Sequence, residues 1–162
     1  VKNDLRPGDR APAFRLETDD RGEVSSTQLK GKPFVLYFYP KDDTSGCTKE
    51  AIAFSGDKKK FEALGATIIG ISKDTVSSHR KFREKHRLGI VLASDEELKA
   101  AEGFGTWVEK SMYGRRYMGM ERATFLVDEK GVIRAIWRKV KVPGHAEAVL
   151  EALRGISTAR KG

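Results

Sequence analysis

The sequence predicts an α/β fold in which a central mixed β-sheet is flanked by helices and preceded by an N-terminal β-hairpin. Three observations carry this prediction. Residues 34–39 (Phe34, Val35, Leu36, Tyr37, Phe38, Tyr39) are an unbroken apolar and aromatic run, the pattern of a strand buried on both faces. Residues 67–71 repeat that pattern with Ile68, Ile69 and Ile71. The long segment between them has helical spacing, so the two strands are joined by a crossover and pair in parallel.

The remaining elements follow in order. Residues 14–17 and 23–24 flank Asp19, Asp20, Arg21 and Gly22, a turn-rich stretch that reads as the hairpin. The crossover helix spans about residues 47–64, with Ala51, Phe54 and Phe61 on one face and Gly65 as its stop; Gly56 is an expected weak point. Asp74 and Thr75 cap a second helix through about Lys85, with Val76, His79 and Phe82 spaced to face inward. Ser94 and Glu97 have capping-box spacing, which predicts a short helix through about Ala101. Residues 123–127 and 132–137 are two strands joined by a four-residue turn ending in Gly131, hence antiparallel. A last helix follows Pro143 and Gly144, apolar at Ala146, Val149, Leu150 and Leu153. Hairpin, β-α-β-α, short helix and β-β-α together make the arrangement of a thioredoxin-type fold, and residues 1–162 read as one domain.

Composition excludes several classes of function. No apolar run approaches the roughly 18 residues of a membrane span, and residues 1–7 lack the apolar stretch of a signal peptide, so a cytoplasmic protein is expected. The net charge is +8, from 31 Lys+Arg against 23 Asp+Glu. The basic groups Arg80, Lys81, Arg83, Arg115, Arg116, Arg138, Lys139 and Lys141 are scattered among acids, as on solvated faces, and predict no nucleic-acid partner. Cys47 is the only cysteine, which excludes an intrachain disulfide and zinc sites built on several thiols. His79, His86 and His145 have no metal-ligand spacing and read as surface or half-buried side chains, and no metal or cofactor is expected.

Cys47 is nevertheless well placed for chemistry. It follows the end of a buried strand, Pro40, and the Ser45-Gly46 pair, which puts it in the first turn of the crossover helix. Unpaired backbone N–H groups and the positive end of the helix dipole favour an anion there, and a thiolate is one. Glu50 stands three residues on, where a dithiol oxidoreductase would carry its second cysteine.

The spacing Pro40-x-x-x-Thr44-x-x-Cys47 resembles the peroxidatic motif of peroxiredoxins. The wider stretch from Tyr37 to Glu50 is similar to the bacterioferritin-comigratory protein, or peroxiredoxin Q, subfamily. The similarity continues through Gly70–Ser72, Leu92–Asp95, Glu121–Phe125 and residues 137–145, nearly the whole chain. This resemblance implies an AhpC/TSA-type domain and a thiol peroxidase that reduces hydrogen peroxide and organic hydroperoxides. Cys47 would be the nucleophile, oxidised to a sulfenic acid. Thr44 would aim its hydroxyl at the thiolate and the peroxide, Arg122 would hold both, Pro40 would shield the site, Gly46 and Cys47 would add backbone N–H groups, and Glu50 would orient Arg122. The sequence departs from the family pattern where relatives carry a resolving cysteine: Ile52 stands five residues after Cys47, and the next helix has no cysteine, with Arg83 among its residues. An external thiol, such as thioredoxin, glutaredoxin or glutathione, is therefore the expected reductant, and a monomer is expected by analogy. The alternative is a redox-sensing or chaperone-like protein that uses Cys47 oxidation without turnover.

Overall fold

β1 (Arg15–Thr18) and β2 (Glu23–Ser25) pair antiparallel as the predicted hairpin in a computed structural model that describes residues 5–19 and 22–161. The turn residues Asp20 and Arg21 lie outside the described residues. The apolar run becomes β3 (Phe34–Phe38), and every residue of it is buried. The crossover helix is divided as expected near Gly56 into α1 (Ser45–Gly56) and α2 (Lys58–Ala63). Then come β4 (Thr67–Ser72), parallel to β3, and α3 (Val76–His86), whose N-cap Thr75 accepts a hydrogen bond from the Ser78 N–H.

Two parts of the middle of the chain differ from the sequence expectation. Val91–Ser94 is a strand, β5, parallel to β4 and inside the sheet. Three apolar residues and a serine carry no period long enough to separate strand from loop. Because Ser94 ends that strand, it opens no helix; its hydroxyl donates to the Asp74 carbonyl at 2.5 Å. The short helix α4 (Lys99–Phe104) starts later, and Asp95 serves its first turn by accepting from the Ala100 and Ala101 N–H groups at 3.1 and 2.8 Å. The second difference is a two-stranded ribbon, β6 (Trp107–Met112) and β7 (Arg115–Met120), closed by Tyr113 and Gly114, both at positive φ. Such a turn usually announces itself with Asn-Gly or Asp-Gly, and tyrosine masks it.

β8 (Ala123–Val127) runs antiparallel to β3 and β9 (Ile133–Trp137), and α5 (His145–Lys161) closes the fold. Among the described residues the main sheet has the order β2-β1-β5-β4-β3-β8-β9. Alternation along β3 sends Phe34, Leu36 and Phe38 to one face, with Ile69, Phe104 and Phe125. Val35, Tyr37 and Tyr39 go to the other, where Ala51 and Phe54 of α1, Phe61 of α2, Phe82 of α3 and Val149 and Leu153 of α5 cover them. Cys47 belongs to this second layer. The sheet thus fixes α1, and with it the thiol, against the middle of β3.

Arg83 shows why α3 stays in place. Its guanidinium grips both Asp19 carboxylate oxygens, Nη2 to Oδ1 at 3.0 Å, and donates to the Leu88 carbonyl at 2.6 Å and the Ile90 carbonyl. The forked geometry ties the helix to the hairpin and to the approach to β5 at once.

Gly70 stands opposite Tyr37 across the β3–β4 pair, and a Cβ there would meet the Tyr37 Cζ and Oη at 2.7 Å. The ring cannot retreat, since it stacks on Phe54 at 4.7 Å and on Tyr39 at 5.5 Å. Gly70→Ala is therefore expected to destabilise the fold by about 1–3 kcal/mol, the usual range for overpacking. Urea unfolding of the variant tests this, and an unchanged midpoint would show that the ring layer yields.

Candidate active site

The segment between β3 and α1 is held from below by a buried polar cluster. Tyr39 Oη donates to Asp42 Oδ1 at 2.6 Å, and Ser78 Oγ donates to Asp42 Oδ2 at 2.8 Å. His79 Nδ1 lies 2.8 Å from Asp42 Oδ2, and its Nε2 lies 3.0 Å from the Ala93 carbonyl. The Asp42 N–H donates to Asp74 Oδ2 at 2.9 Å. Next to it Asp43, at φ 60°, accepts from Lys85 Nζ at 2.7 Å and meets His86 Nε2 at 2.8 Å. Residues 40–44 are thereby fastened to α3 and to the end of β4, which sets where α1 begins.

Thr44 is the extended N-cap of α1, and its carbonyl accepts the first intrahelical bond, from the Thr48 N–H at 2.8 Å. The N–H groups of Ser45, Gly46 and Cys47 stand in the first turn, where the helix supplies no acceptor. Cys47 is 1% exposed. Arg122 reaches over from the β7–β8 junction: Nη2 donates to Cys47 Sγ at 3.3 Å and Nη1 donates to Glu50 Oε1 at 2.7 Å. A Cβ on Gly46 would sit 3.1 Å from Arg122 Nη2, so the glycine makes room for the guanidinium. The backbone beneath Arg122 is fixed as well, since the Glu121 N–H donates to the Thr106 carbonyl at 2.7 Å and the Val140 N–H to the Arg122 carbonyl at 3.0 Å.

A lone thiol at a helix start, gripped by an arginine that a carboxyl group holds, can do redox or nucleophilic chemistry. The profile of the AhpC/TSA family matches residues 7–136. The chain belongs to the AhpC/TSA family. Among its relatives, a putative peroxiredoxin Bcp of Coxiella burnetii is 47% identical over 149 residues, covering 92% of this chain and 99% of the relative. Peroxiredoxin Bcp of Bacillus subtilis is 46% identical over 150 residues, covering 93% and 96%. A cysteine-to-serine mutant of Xylella fastidiosa PrxQ superposes with a TM-score of 0.90 at 34% identity, covering 96% of this chain and 99% of that one. The Xanthomonas campestris bacterioferritin comigratory protein, described for its alkyl peroxide reduction activity, gives 0.85 at 39% identity, covering 89% and 92%.

Of the residues that the sequence singled out, the structure brings together Cys47, Arg122, Glu50 and Gly46. Thr44 is adjacent, but its hydroxyl proton goes to the Lys41 carbonyl at 2.9 Å instead of to the sulfur. Pro40 is exposed at the end of β3. The histidine expectation needs correction, since His79 and His145 are buried, at 0% and 6% exposure. Each fills a polar gap between elements, which no local pattern announces. Tyr37, Asp42 and Lys110 are further members of the neighbourhood that sequence reasoning missed; only the tyrosines inside the apolar run hinted at buried hydroxyls needing partners.

Charges around Cys47 act on one another. Burial opposes the charge of Arg122, but the Cys47 sulfur and Glu50 outweigh it, and the guanidinium pKa is raised. Burial pushes Glu50 up to about 7, against the pull of Arg122. Tyr37 is raised by burial, then by Glu50, Cys47 and Asp42. Lys110 on β6 is lowered by burial and by Arg122, while Cys47 and Glu121 pull the other way. His145, whose Nε2 lies 2.7 Å from Thr124 Oγ1, is lowered to about 4 by burial and then by Arg122.

His145 makes a pH prediction. Its folded pKa of about 4 lies below the ordinary 6.5, so the unfolded chain binds the proton more readily between those values. The contribution to stability is complete above pH 6.5 and is lost as pH falls toward 4. Glu50 works oppositely: its folded pKa is raised from 4.5 to about 7, so its contribution is complete below 4.5 and is lost as pH rises to 7. His145→Gln, compared with wild type by thermal unfolding between pH 4 and 7, should lose less stability on acidification. An identical acid slope in both proteins would assign the loss to other groups.

Proposed function

We propose that the chain is a one-cysteine thiol peroxidase that reduces hydrogen peroxide and organic hydroperoxides to water and alcohols. The observation that carries this reading is the Arg122 guanidinium bridging Cys47 Sγ and Glu50 at the first turn of α1. The Cys47 thiolate attacks the terminal oxygen of the hydroperoxide. An S–O bond forms and the O–O bond breaks; the sulfur is oxidised to a sulfenic acid and the peroxide is reduced. Arg122 and the first-turn N–H groups of Gly46 and Cys47 supply donors where charge moves onto oxygen. Thr44, with its proton directed at the Lys41 carbonyl, offers its oxygen as an acceptor for the hydroperoxide O–H. Pro40 forms the outer edge of the site. An external thiol such as thioredoxin, glutaredoxin or glutathione then reduces the sulfenic acid, a cycle suited to antioxidant defence and redox homeostasis. The chain needs no cofactor for these steps, and it works as a monomer in the cytoplasm. Among the described residues no helix is long and apolar enough to cross a membrane.

Magnitudes favour placement of donors over thiol acidity. A free cysteine is already a few per cent thiolate at neutral pH, so complete ionisation gains about thirtyfold at most. Oriented hydrogen bonds to developing charge are worth about a hundredfold or more each. Arg122→Lys keeps the charge but cannot hold sulfur and carboxylate together through one planar fork. It should slow the reaction with peroxide about tenfold or more. A second-order rate constant within about twofold of wild type would reduce Arg122 to a structural residue, since oriented donors count for more than that.

Cysteine arithmetic supplies the test of the whole reading. One equivalent of peroxide should leave Cys47 as a sulfenic acid trappable by a dimedone-type reagent, and excess peroxide should drive it to the sulfinic acid and inactivate the enzyme. Intact mass should rise by one and then two oxygens on a single chain. Cys47→Ser should abolish peroxide consumption while the fold survives; turnover retained in that variant, or prompt conversion of wild type to a disulfide-linked dimer, defeats the proposal.

A further inference from the structure

The peroxide chemistry above needs a proton for the departing oxygen, and nothing yet placed supplies it. Glu50 is the buried titratable group that the reaction leaves unused. Its Oε1 is taken by Arg122, but Oε2 is buried without a hydrogen-bond partner, as is Oη of Tyr37 on the neighbouring strand. A fully ionised carboxylate in that position would leave one anionic oxygen desolvated and unpaired, a costly arrangement.

Counting charge sharpens the point. Arg122 is one cation holding two acids, the Cys47 thiol through Nη2 and the Glu50 carboxyl through Nη1. Cys47 and Glu50 are three residues apart on α1 and share a face. The other groups around them do not add a second enclosed cation: His145 of α5 is held neutral by burial, Tyr37 of β3 keeps its proton, and Lys110 of β6 stands at the half-exposed rim beside Glu121. A buried unit with one positive charge is neutral when only one of its two acids is ionised.

We infer that Cys47 and Glu50 hold one proton between them on Arg122, and that Glu50 keeps this proton while Cys47 is a thiolate and gives it to the oxygen that leaves. This inference rests on the peroxidase reading. Before reaction the unit is Arg122 cation, thiolate and neutral Glu50 carboxylic acid. Attack forms the S–O bond and expels RO⁻, which takes the Glu50 proton and departs as ROH. Cys47 is then an uncharged sulfenic acid and Glu50 is the carboxylate paired with Arg122. The net charge is zero before and after, so the desolvated pocket never holds an uncompensated ion. Burial alone pushes Glu50 up to about 7 against the pull of Arg122, in accord with a carboxyl able to carry a proton near neutral pH.

The experiment compares wild type with Glu50→Gln, which keeps a neutral, isosteric partner for Arg122 but has no carboxyl proton to give. Three second-order rate constants are measured across pH: with iodoacetamide, which reports the thiolate; with tert-butyl hydroperoxide, whose alkoxide needs a proton; and with peracetic acid, whose acetate does not. The variant should react with iodoacetamide at or above the wild-type rate and with peracetic acid nearly as fast. With tert-butyl hydroperoxide it should be slower by about tenfold or more, the scale of general acid catalysis. An equal loss on all three reagents would show that Glu50 only holds Arg122 in place, and full activity on the hydroperoxide would remove it altogether. Wild type inert to both peroxides would instead bring down the peroxidase reading. Should Glu50→Gln fail to fold, the infrared difference spectrum of wild type before and after one equivalent of hydroperoxide decides. Loss of a protonated-carboxyl band supports the inference, and its absence overturns it.

Discussion

The shared guanidinium of Arg122 is the constraint on which the rest of the site depends. A single planar fork spans Cys47 Sγ at 3.3 Å and Glu50 Oε1 at 2.7 Å, and neither contact survives a shift of about an ångström. Two separate parts of the chain must therefore be held in register: the first turn of α1 and the β7–β8 junction. The fold does this with backbone hydrogen bonds on one side, at Thr106 and Val140, and with the buried Asp42 cluster on the other. Gly46 completes the fit by what it lacks, since a side chain there would press on the guanidinium.

Burying so many polar groups beside an apolar layer carries a desolvation cost that only paired hydrogen bonding offsets. Asp42 meets that condition: Tyr39, Ser78 and His79 surround its two carboxylate oxygens. Glu50 does not, because one of its oxygens has no partner, and neither does the Tyr37 hydroxyl. Among the described residues the unsatisfied buried oxygens lie beside Cys47, while the cluster that positions the loop is well paired. Unpaired buried polar atoms are costly, and the ones that persist tend to sit at functional positions while purely structural clusters are fully paired.

Much of this was legible in the residues and some was not, for identifiable reasons. The paired runs at 34–39 and 67–71, the broken helix at Gly56 and the closing hairpin and helix were readable because each has a strong local period or an unambiguous stop. β5 was not, because its three apolar residues are too few to show a period, and its last residue Ser94 had a capping-box spacing that the strand overrode. The β6–β7 ribbon was hidden by a Tyr113-Gly114 turn in a stretch of exposed Arg, Tyr and Met without clean alternation. At the site, Cys47 stood out by position and Arg122, Thr44 and Glu50 only through family resemblance. His79 and His145 act across elements far apart in sequence, and one chain read alone does not encode such pairings in any short window.

The departures at Ile52 and Arg83 have a structural consequence beyond the missing thiol. Arg83 is not an idle substitute: it chelates Asp19 and bonds two carbonyls, so α3 is stapled to the sheet and cannot swing toward α1 without breaking charge-assisted bonds. Ile52 is half exposed on α1 and buries little that would hold the helix down. The first turn of α1, which carries a sulfur that is 1% exposed, is closed by the Thr48–Thr44 bond and by the loop contacts of Asp42 and Asp43. The Asp42 and Asp43 contacts thus fasten the loop that opens α1, as Arg83 fastens α3, and Cys47 sits in the buried layer to which both helices contribute.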